Sequence, residues 1–594
     1  MKIRGESHNA HAWYAAERIA GAGIVVCALG VIAYVIWTLD RGFDITDEAY
    51  YLLLATHADS VKIFFPPGAQ QWLTAGLWQI TGSIVMFRAA GMVLLLASSA
   101  LLSSGVFSIC VRFGLLTDHL RSKAVVFAGS AVGAMLYAST INLSPCYNLL
   151  ASAAAYASAG MVLLASNRSN IFHKYALFAL AGCALGAMAL CKPPAAVVTF
   201  ALLALWGSIF ERAVFDKIFG SVAMIFGAVT FVAVLLLINT TISEAWQALQ
   251  QGMQFFDMVR GETTGARLTR YTIEFREYSL TTLKGFGIPI AAMIVYVTTR
   301  RVIFAHFGLA ALVITLIFGS HNAGHLIFSM DNATSGSYLF GGFNRYSVQP
   351  VAIFAMLLMA LIISIPIWTK SWSTLALFVG LILLPYCVAL GTGNALFTQV
   401  IDTLAFFGVL ITVLMIATHP HLGKTPASFM GLCFILTIAL QIVTSSLRPY
   451  HLAFPLTEQS QITMVGNVGE VKVDADTNKF FTDLQAASKS CGIEPGTPFI
   501  GLYNMPGVAL ALQAIPVLTP WLGNREQAEF VLERGRLEEL PSAVIGLQAR
   551  VDGSLPPLPK QLAESLVGYR YCGMAITPYT QQRIQILQSQ AKYP

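Results

Sequence analysis

The sequence predicts a polytopic α-helical membrane protein of about thirteen spans followed by a water-soluble α/β domain, and three observations carry that prediction. First, 56% of the 594 residues are hydrophobic and only 11% are charged, whereas a soluble chain of this length carries roughly a quarter charged residues; mean hydropathy is +0.67. Second, the apolar residues gather into runs close to the ~20 residues needed to cross a bilayer core. Third, the composition changes abruptly at Arg448-Pro449, after which polar and apolar residues alternate.

The polar N-terminus, Met1 to Arg18, leads into an apolar run with no small-residue cleavage site, so the first run reads as a retained span rather than a signal peptide. Hydropathy places spans at residues 19–38, 89–111, 124–141, 149–166, 175–191, 195–210, 218–238, 285–299, 302–319, 347–368, 374–391, 397–417 and 428–446. Lysines and arginines collect in alternate short connections: Arg112, Arg121 and Lys123; Arg168 and Lys174; Arg212 and Lys217; Arg300 and Arg301; then Lys370 and Lys424. The positive-inside rule makes that side, with the N-terminus, cytoplasmic. The long connections 39–88, 239–284 and 320–346 then share the outer face with the tail, so chemistry is expected outside the cytoplasm. The expected domains are a transmembrane catalytic unit, 1–447, and a soluble extracytoplasmic unit, 448–594. The net charge of +6 is spread thinly and offers no nucleic-acid footprint.

In the tail, Thr497–Tyr503 and Ser542–Leu547 read as strands, and Phe480–Lys489 and Gln527–Glu539 as helices; their alternation indicates a small α/β domain. Six cysteines lie inside apolar runs, where the residue packs as a small hydrophobe. Cys491 and Cys572 lie in the tail and can pair if it occupies an oxidising compartment. No cysteine–histidine array suggests zinc. His321 and His325 are four residues apart but lack an evident third ligand. Arg267, Arg270 and Arg276 alternate with Glu262, Glu274 and Glu277 and read mainly as a solvated amphipathic segment, with the binding of an anionic acceptor as the alternative.

Four stretches of the outer face carry the chemistry. In Phe43-Asp-Ile-Thr-Asp-Glu-Ala-Tyr-Tyr51, Asp47 and Glu48 open a helix; they point ~100° apart, and Tyr50 or Tyr51 shares the Asp47 face. Acids at a helix start are also favoured by its dipole, an ordinary structural role. Phe65-Pro-Pro-Gly-Ala-Gln-Gln-Trp72 follows, and then Arg88. Lys192 stands at the outer end of a glycine-rich span before Pro193 and Pro194, where it either snorkels to the interface or meets a lipid phosphate. Arg345 and Tyr346, in Asn344-Arg-Tyr-Ser-Val-Gln-Pro350, stand where the chain turns into a late span; an arginine fork suits phosphate or anchors the interface.

In this order, the four stretches resemble the GT-C superfamily of integral membrane glycosyltransferases, over roughly residues 19–447. The nearest branch holds protein O-mannosyltransferases, the lipid A aminoarabinose transferase and bacterial lipopolysaccharide sugar transferases. Asp47, Glu48, Tyr50 and Tyr51 match the family's opening motif; Pro66, Pro67, Trp72 and Arg88 match its second; Lys192 with Pro194, and Arg345 with Tyr346 and Pro350, match the later ones. Pro145–Leu150 is similar to the start of a family span. One departure stands out: Phe64 and Phe65 replace the acid and lysine that precede the Pro-Pro pair in the aminoarabinose branch, and the nearest lysine is Lys62.

The resemblance implies an inverting transfer from a polyprenyl-phosphate sugar to an extracytoplasmic lipopolysaccharide, envelope glycan or protein, at a bacterial inner membrane. Asp47 would act as general base, and Lys192 and Arg345 would stabilise the leaving phosphate. Tyr50, Tyr51, Lys62 and Tyr346 would contact substrate. Glu48 would either orient the acceptor or help to hold a divalent cation; the cofactor is otherwise left open. A transporter or flippase is the rival class, but such proteins place ionisable groups near the bilayer midplane, and here the span middles are almost free of charge. A membrane polysaccharide polymerase or ligase is the second rival; the early Asp-Glu loop argues against it.

Overall fold

The computed structural model describes residues 6–63, 68–139, 143–211, 213–260, 264–318, 320–321, 336–337, 349–369, 371–391, 394–417, 424–534, 543–549, 556–563 and 568–589. Phe64 to Pro67, His325, Arg345 and Tyr346 lie outside the described residues.

The chain opens with α1 (Glu6–Thr38), followed by two short helices, α2 (Asp47–Thr56) and α3 (Gln70–Thr81). Six long helices come next: α4 (Ile84–Arg112), α5 (Leu120–Met135), α6 (Tyr147–Ala165), α7 (Ile171–Cys191), α8 (Pro193–Phe210) and α9 (Val214–Asn239). After α10 (Ile242–Arg260), α11 (Thr264–Thr299) and α12 (Val302–Phe318), a two-residue ladder pairs β1 (Ser320–His321) with β2 (Gly336–Ser337). The bundle ends with α13 (Gln349–Ile363), α14 (Ile365–Trp368), α15 (Trp372–Ala389), α16 (Leu396–Gln399), α17 (Ala405–Ala417) and α18 (Lys424–Ser445).

Among the described residues, ten helices are long and apolar enough to cross a membrane, and three shorter apolar ones, Val302–Phe318, Val351–Ile363 and Ala405–Ala417, complete the series predicted from hydropathy. The protein is a polytopic helical membrane protein with a C-terminal mixed α/β region. Small residues let the helices approach closely, as membrane packing favours. A Cβ on Gly182 of α7 would lie 2.0 Å from the Met224 carbonyl of α9, and one on Gly227 of α9 would lie 2.0 Å from the Ala179 carbonyl of α7.

Three expectations change. The connection 239–284 is not a loop: α10 and the first half of α11 occupy it. At 1.5 Å per residue the 36-residue α11 is about 54 Å long, far more than a ~30 Å hydrocarbon core. The arginine–glutamate segment within it is not simply solvated. Arg270 and Glu274 are buried, and Glu274 accepts from the Leu396 backbone N–H at 2.8 Å, capping α16. Finally, the spans placed at 347–368 and 397–417 are broken. Pro366 starts the separate helix α14, and buried Asp402 and Thr403 lie in a 3₁₀ turn before α17.

In the tail, β3 (Gln461–Met464) and β4 (Glu470–Val473) form an antiparallel hairpin before α19 (Ala475–Cys491). There follow β5 (Pro498–Leu502), α20 (Pro506–Ala511), β6 (Ile515–Pro516), α21 (Arg525–Arg534), β7 (Val544–Ala549), α22 (Lys560–Ala563), β8 (Tyr569–Ile576) and β9 (Arg583–Ser589). One five-stranded sheet runs β6-β5-β7-β9-β8, parallel at β6, β5 and β7 and antiparallel beyond. Successive strand residues point to opposite faces. Phe499, Val544, Ile584 and Ile586 therefore enter one core with Phe480 and Leu484, while Ile500, Leu502, Ile545 and Leu547 enter another with Val531. A disulfide joins Cys491, at the end of α19, to Cys572 of β8.

Neither core belongs to the tail alone. Phe43, Ala49, Leu52, Leu53 and Phe87 complete the first, and Ile63 and Phe255 the second. Backbone bonds stitch the same joint: Gly42 N–H to the Lys472 carbonyl (2.8 Å), Lys472 N–H to Asp40 (2.7 Å), Gly507 N–H to Ile45 (2.8 Å) and Lys62 N–H to Leu518 (2.9 Å). The segment between α1 and α4 is thus clamped by the domain that begins 400 residues later.

Candidate active site

The start of α2 is built by Asp44. Its carboxylate accepts the backbone N–H of Thr46 (2.9 Å) and of Asp47 (3.0 Å), together with the Thr46 hydroxyl (2.6 Å). These bonds satisfy N–H groups that the first helical turn leaves without partners. They also fix Asp47 as the first residue of the helix, where the dipole favours negative charge. Burial would push the Asp44 carboxyl up, but the hydrogen bond and charge of His451 and the two Thr46 donors outweigh it and hold the carboxyl below the usual carboxylate range.

Residues just past α18 reach back to this turn. The Tyr450 hydroxyl donates to Asp47 Oδ2 at 2.9 Å. His451 adopts a left-handed backbone (φ 53°), its ring stacks on Tyr450 at 3.7 Å, and its Nδ1 lies 3.0 Å from the Thr46 hydroxyl and 3.7 Å from Asp44 Oδ1. One ligand atom each from Asp44, Asp47 and His451 lies within 4.8 Å of the others. Among the described residues those three, rather than Asp47 with Glu48, could hold a divalent cation, although Thr46 already bonds Asp44 and His451, and Tyr450 bonds Asp47.

Glu48 points the other way. Both its oxygens are gripped by Arg88, Nε to Oε1 and Nη2 to Oε2 at 2.7 Å each, and Ser144 donates to Oε1 at 2.6 Å. Arg88 spends its remaining donors on the carbonyls of Leu39, Arg41 and Gly42. Both side chains are buried, at 0% and 2% exposure. The expectation that Glu48 faces acceptor or metal gives way to a closed pair that anchors α2. The helix itself is buried on both sides from Glu48 to Ala55.

From Asp47 the aromatic residues lead inward. Tyr50 and Tyr51 have centroids 5.5 Å apart, Tyr51 and Tyr147 6.2 Å, and Lys192 Nζ lies 5.5 Å from the Tyr147 ring centroid. Burial, with neighbouring tyrosines and Asp47, pushes both α2 phenols well above their ordinary range, so they remain proton donors. Trp521 of the tail packs edge-on to Tyr50 at 5.8 Å. Lys192 sits where α7 stops and α8 starts; Pro193 and Pro194, without N–H groups, begin the new helix, and the intervening residue is left outside helical geometry. Its ammonium, only 4% exposed as a residue, donates to the Val388 carbonyl at 3.3 Å. Gly68, two residues before α3, presses on the same place, since a Cβ there would lie 2.3 Å from the Leu190 carbonyl oxygen. The structure therefore gathers Asp47, Tyr50, Tyr51 and Lys192. Lys62 is exposed, and its backbone N–H donates to the Leu518 carbonyl at the joint with the tail. An apolar hollow between α13, α17 and α18, lined by Ala360, Met415 and Met430, shares no residue with this group.

Neither a family model nor a curated protein matches the sequence. Among solved structures, the crystal structure of the Archaeoglobus fulgidus oligosaccharyltransferase in complex with Zn and sulfate aligns over 91% of this chain and 73% of that one, at 13% identity and a TM-score of 0.44. The crystal structure of ArnT from Cupriavidus metallidurans in the apo state aligns over 96% of this chain and 98% of that one, at 14% identity and a TM-score of 0.39.

Proposed function

We propose that this protein is an inverting glycosyltransferase that moves a sugar from a polyprenyl-phosphate donor to an acceptor on the extracytoplasmic face. The observation that supports this reading best is the line of groups from half-buried Asp47 through buried Tyr50 and Tyr51 and half-buried Tyr147 to buried Lys192, a carboxylate at one end and a cation at the other. An acceptor hydroxyl is a weak nucleophile, so a positioned carboxylate assists by taking its proton. In the proposed step, the acceptor oxygen attacks the anomeric carbon as its proton passes to Asp47. The bond from that carbon to the phosphate oxygen breaks from the opposite side, its electron pair stays with the phosphate, and the configuration inverts. Polyprenyl phosphate is a stable anion and leaves without an acid. Lys192, with Arg345 expected beside it, stabilises the charge, as buried donors aimed at developing charge do. The donor's lipid would run along the bundle, and Glu48–Arg88 would hold α2 rigid. If a divalent cation binds at Asp44, Asp47 and His451, it would supply a further positive charge beside the reacting oxygens.

The test is turnover by the purified full-length protein with a panel of polyprenyl-phosphate sugars and an envelope-derived acceptor. Release of polyprenyl phosphate by the wild type and none by Asp47→Ala is the expected result. If the wild type accelerates transmembrane movement of a lipid-linked sugar with no release, the protein is a flippase and the proposal fails.

A further inference from the structure

Three buried amides on segments that reach the Lys192 turn have polar atoms with no hydrogen-bond partner among the described residues. Gln70 and Gln71 begin α3 at 2% exposure each, and Asn148 lies in the first turn of α6 at 5%. Both ends of the Gln70 amide, the Gln71 nitrogen and the Asn148 oxygen have no partner among the described residues. Buried polar groups are almost always paired, and an orphaned one costs stability, so each calls for an explanation.

The fold brings the segments that carry them to one turn. Gly68, two residues before Gln70, sits against the Leu190 and Cys191 carbonyls, with its notional Cβ at 2.3 and 3.3 Å. Trp72, the residue after Gln71, packs with Leu190 in one apolar cluster. Asn148 follows Tyr147, whose ring centroid is 5.5 Å from Lys192 Nζ. All three amides are therefore within two residues of groups that touch the turn carrying Lys192. Other buried orphans, such as Gln399 and Gln441, sit on different helices.

We propose that Gln70, Gln71 and Asn148 form a subsite that reads the ring hydroxyls of the donor's sugar. This rests on the donor assignment above, in which Lys192 meets the phosphate. In such a donor the sugar is joined directly to that phosphate, so its hydroxyls lie within one ring of Lys192. An amide both donates and accepts, as a hydroxyl does, which suits it to a neutral polyol. It carries no net charge and gives no particular advantage to a phosphate or an ammonium group. The substrate class that fits is a neutral hydroxylated or N-acetylated sugar, not an amino sugar bearing a free ammonium. Specificity follows, because a site built to pair a hydroxyl rejects an analogue that lacks it and leaves the buried partner orphaned.

The experiment uses full-length protein in nanodiscs carrying Asp47→Ala, so that donor binds without turnover, with Gln70→Leu, Gln71→Leu or Asn148→Leu added singly. Two quantities are read: the thermal midpoint without donor, and its rise with a polyprenyl-phosphate hexose. Leucine removes an unpaired polar group, so the donor-free midpoint is expected to stay level or rise, while apparent donor affinity falls about tenfold, the scale of one or two lost hydrogen bonds. Donors lacking one ring hydroxyl are expected to bind the parent protein equally poorly, which tests the subsite without mutation. If the variants lose midpoint and keep full donor affinity, the amides are structural and the subsite is refuted. If the parent responds to no polyprenyl-phosphate sugar, the donor assignment itself fails and takes the subsite with it.

Discussion

Asp47 and Tyr450 are 403 positions apart and joined by one hydrogen bond of 2.9 Å. Removing only the hydroxyl, in Tyr450→Phe, keeps the ring that stacks on His451 and lets the Asp47 carboxylate swing. A hydrogen bond to a charged group contributes about 1.5–3 kcal/mol, so turnover is expected to fall roughly tenfold to a hundredfold with the donor KM unchanged. The loss should vanish in an Asp47→Ala background, because residues acting through one group are not additive. Steady-state kinetics of the two single variants and the double variant check this. At this scale the sequence showed one side of the site only. Asp47, Tyr50, Tyr51 and Lys192 were legible from local patterns: an acid at a helix start, and a lysine held before two prolines. Tyr450 and His451 were not, because they follow Arg448-Pro449 in what reads as a plain domain junction, and their relation to Asp44 exists only once the tail folds back. The pairing of Glu48 was equally hidden, since nothing local distinguishes an acid that meets substrate from one that meets an arginine 40 positions on.

At the scale of elements, the Glu48–Arg88 pair ties α2 to α4, and Gly68 docks the turn before α3 onto the end of α7. Breaking a buried pair from one side leaves an uncompensated charge and costs about 3–5 kcal/mol. Arg88→Met is therefore expected to lower the thermal midpoint sharply, and adding Glu48→Gln to recover much of the loss; thermal unfolding in detergent reads both. Gly68→Ala is expected to damage turnover rather than folding, by displacing the Leu190–Lys192 turn away from the Tyr147 ring. Its measurement is kcat beside the melting point. Hydropathy located the membrane helices well because length and apolarity suffice for that. It missed the breaks before α14 and α17 because a single Pro366 or Asp402 barely alters an averaged window. It read α10 and the first half of α11 as a connection because their polar faces dilute the apolar signal.

For the molecule as a whole, the tail and the segment between α1 and α4 share two hydrophobic cores, so the C-terminal domain is a wall of the candidate site, not an appendage. The Cys491–Cys572 bond closes a long loop in that wall, and removing such a crosslink typically costs about 2–5 kcal/mol. Cys491→Ser with Cys572→Ser is expected to loosen the tail and, through the shared core, to lower turnover; limited proteolysis beside an activity assay checks this. The tail's α/β character was readable from alternating runs. Its fusion to the segment between α1 and α4 was not, because nothing local to Phe43 or Leu52 points to so distant a partner and only the fold shows them sharing a core with Phe480 and Phe481. The most direct test of the transferase is the release of polyprenyl phosphate from a lipid-linked sugar by purified wild-type protein and by Asp47→Ala. Release by the wild type, reduced at least a hundredfold in the variant, a loss within the roughly 10²–10⁴ supplied by a positioned acid or base, is the expected result. Equal release by both proteins, with the fold of each intact, would contradict it.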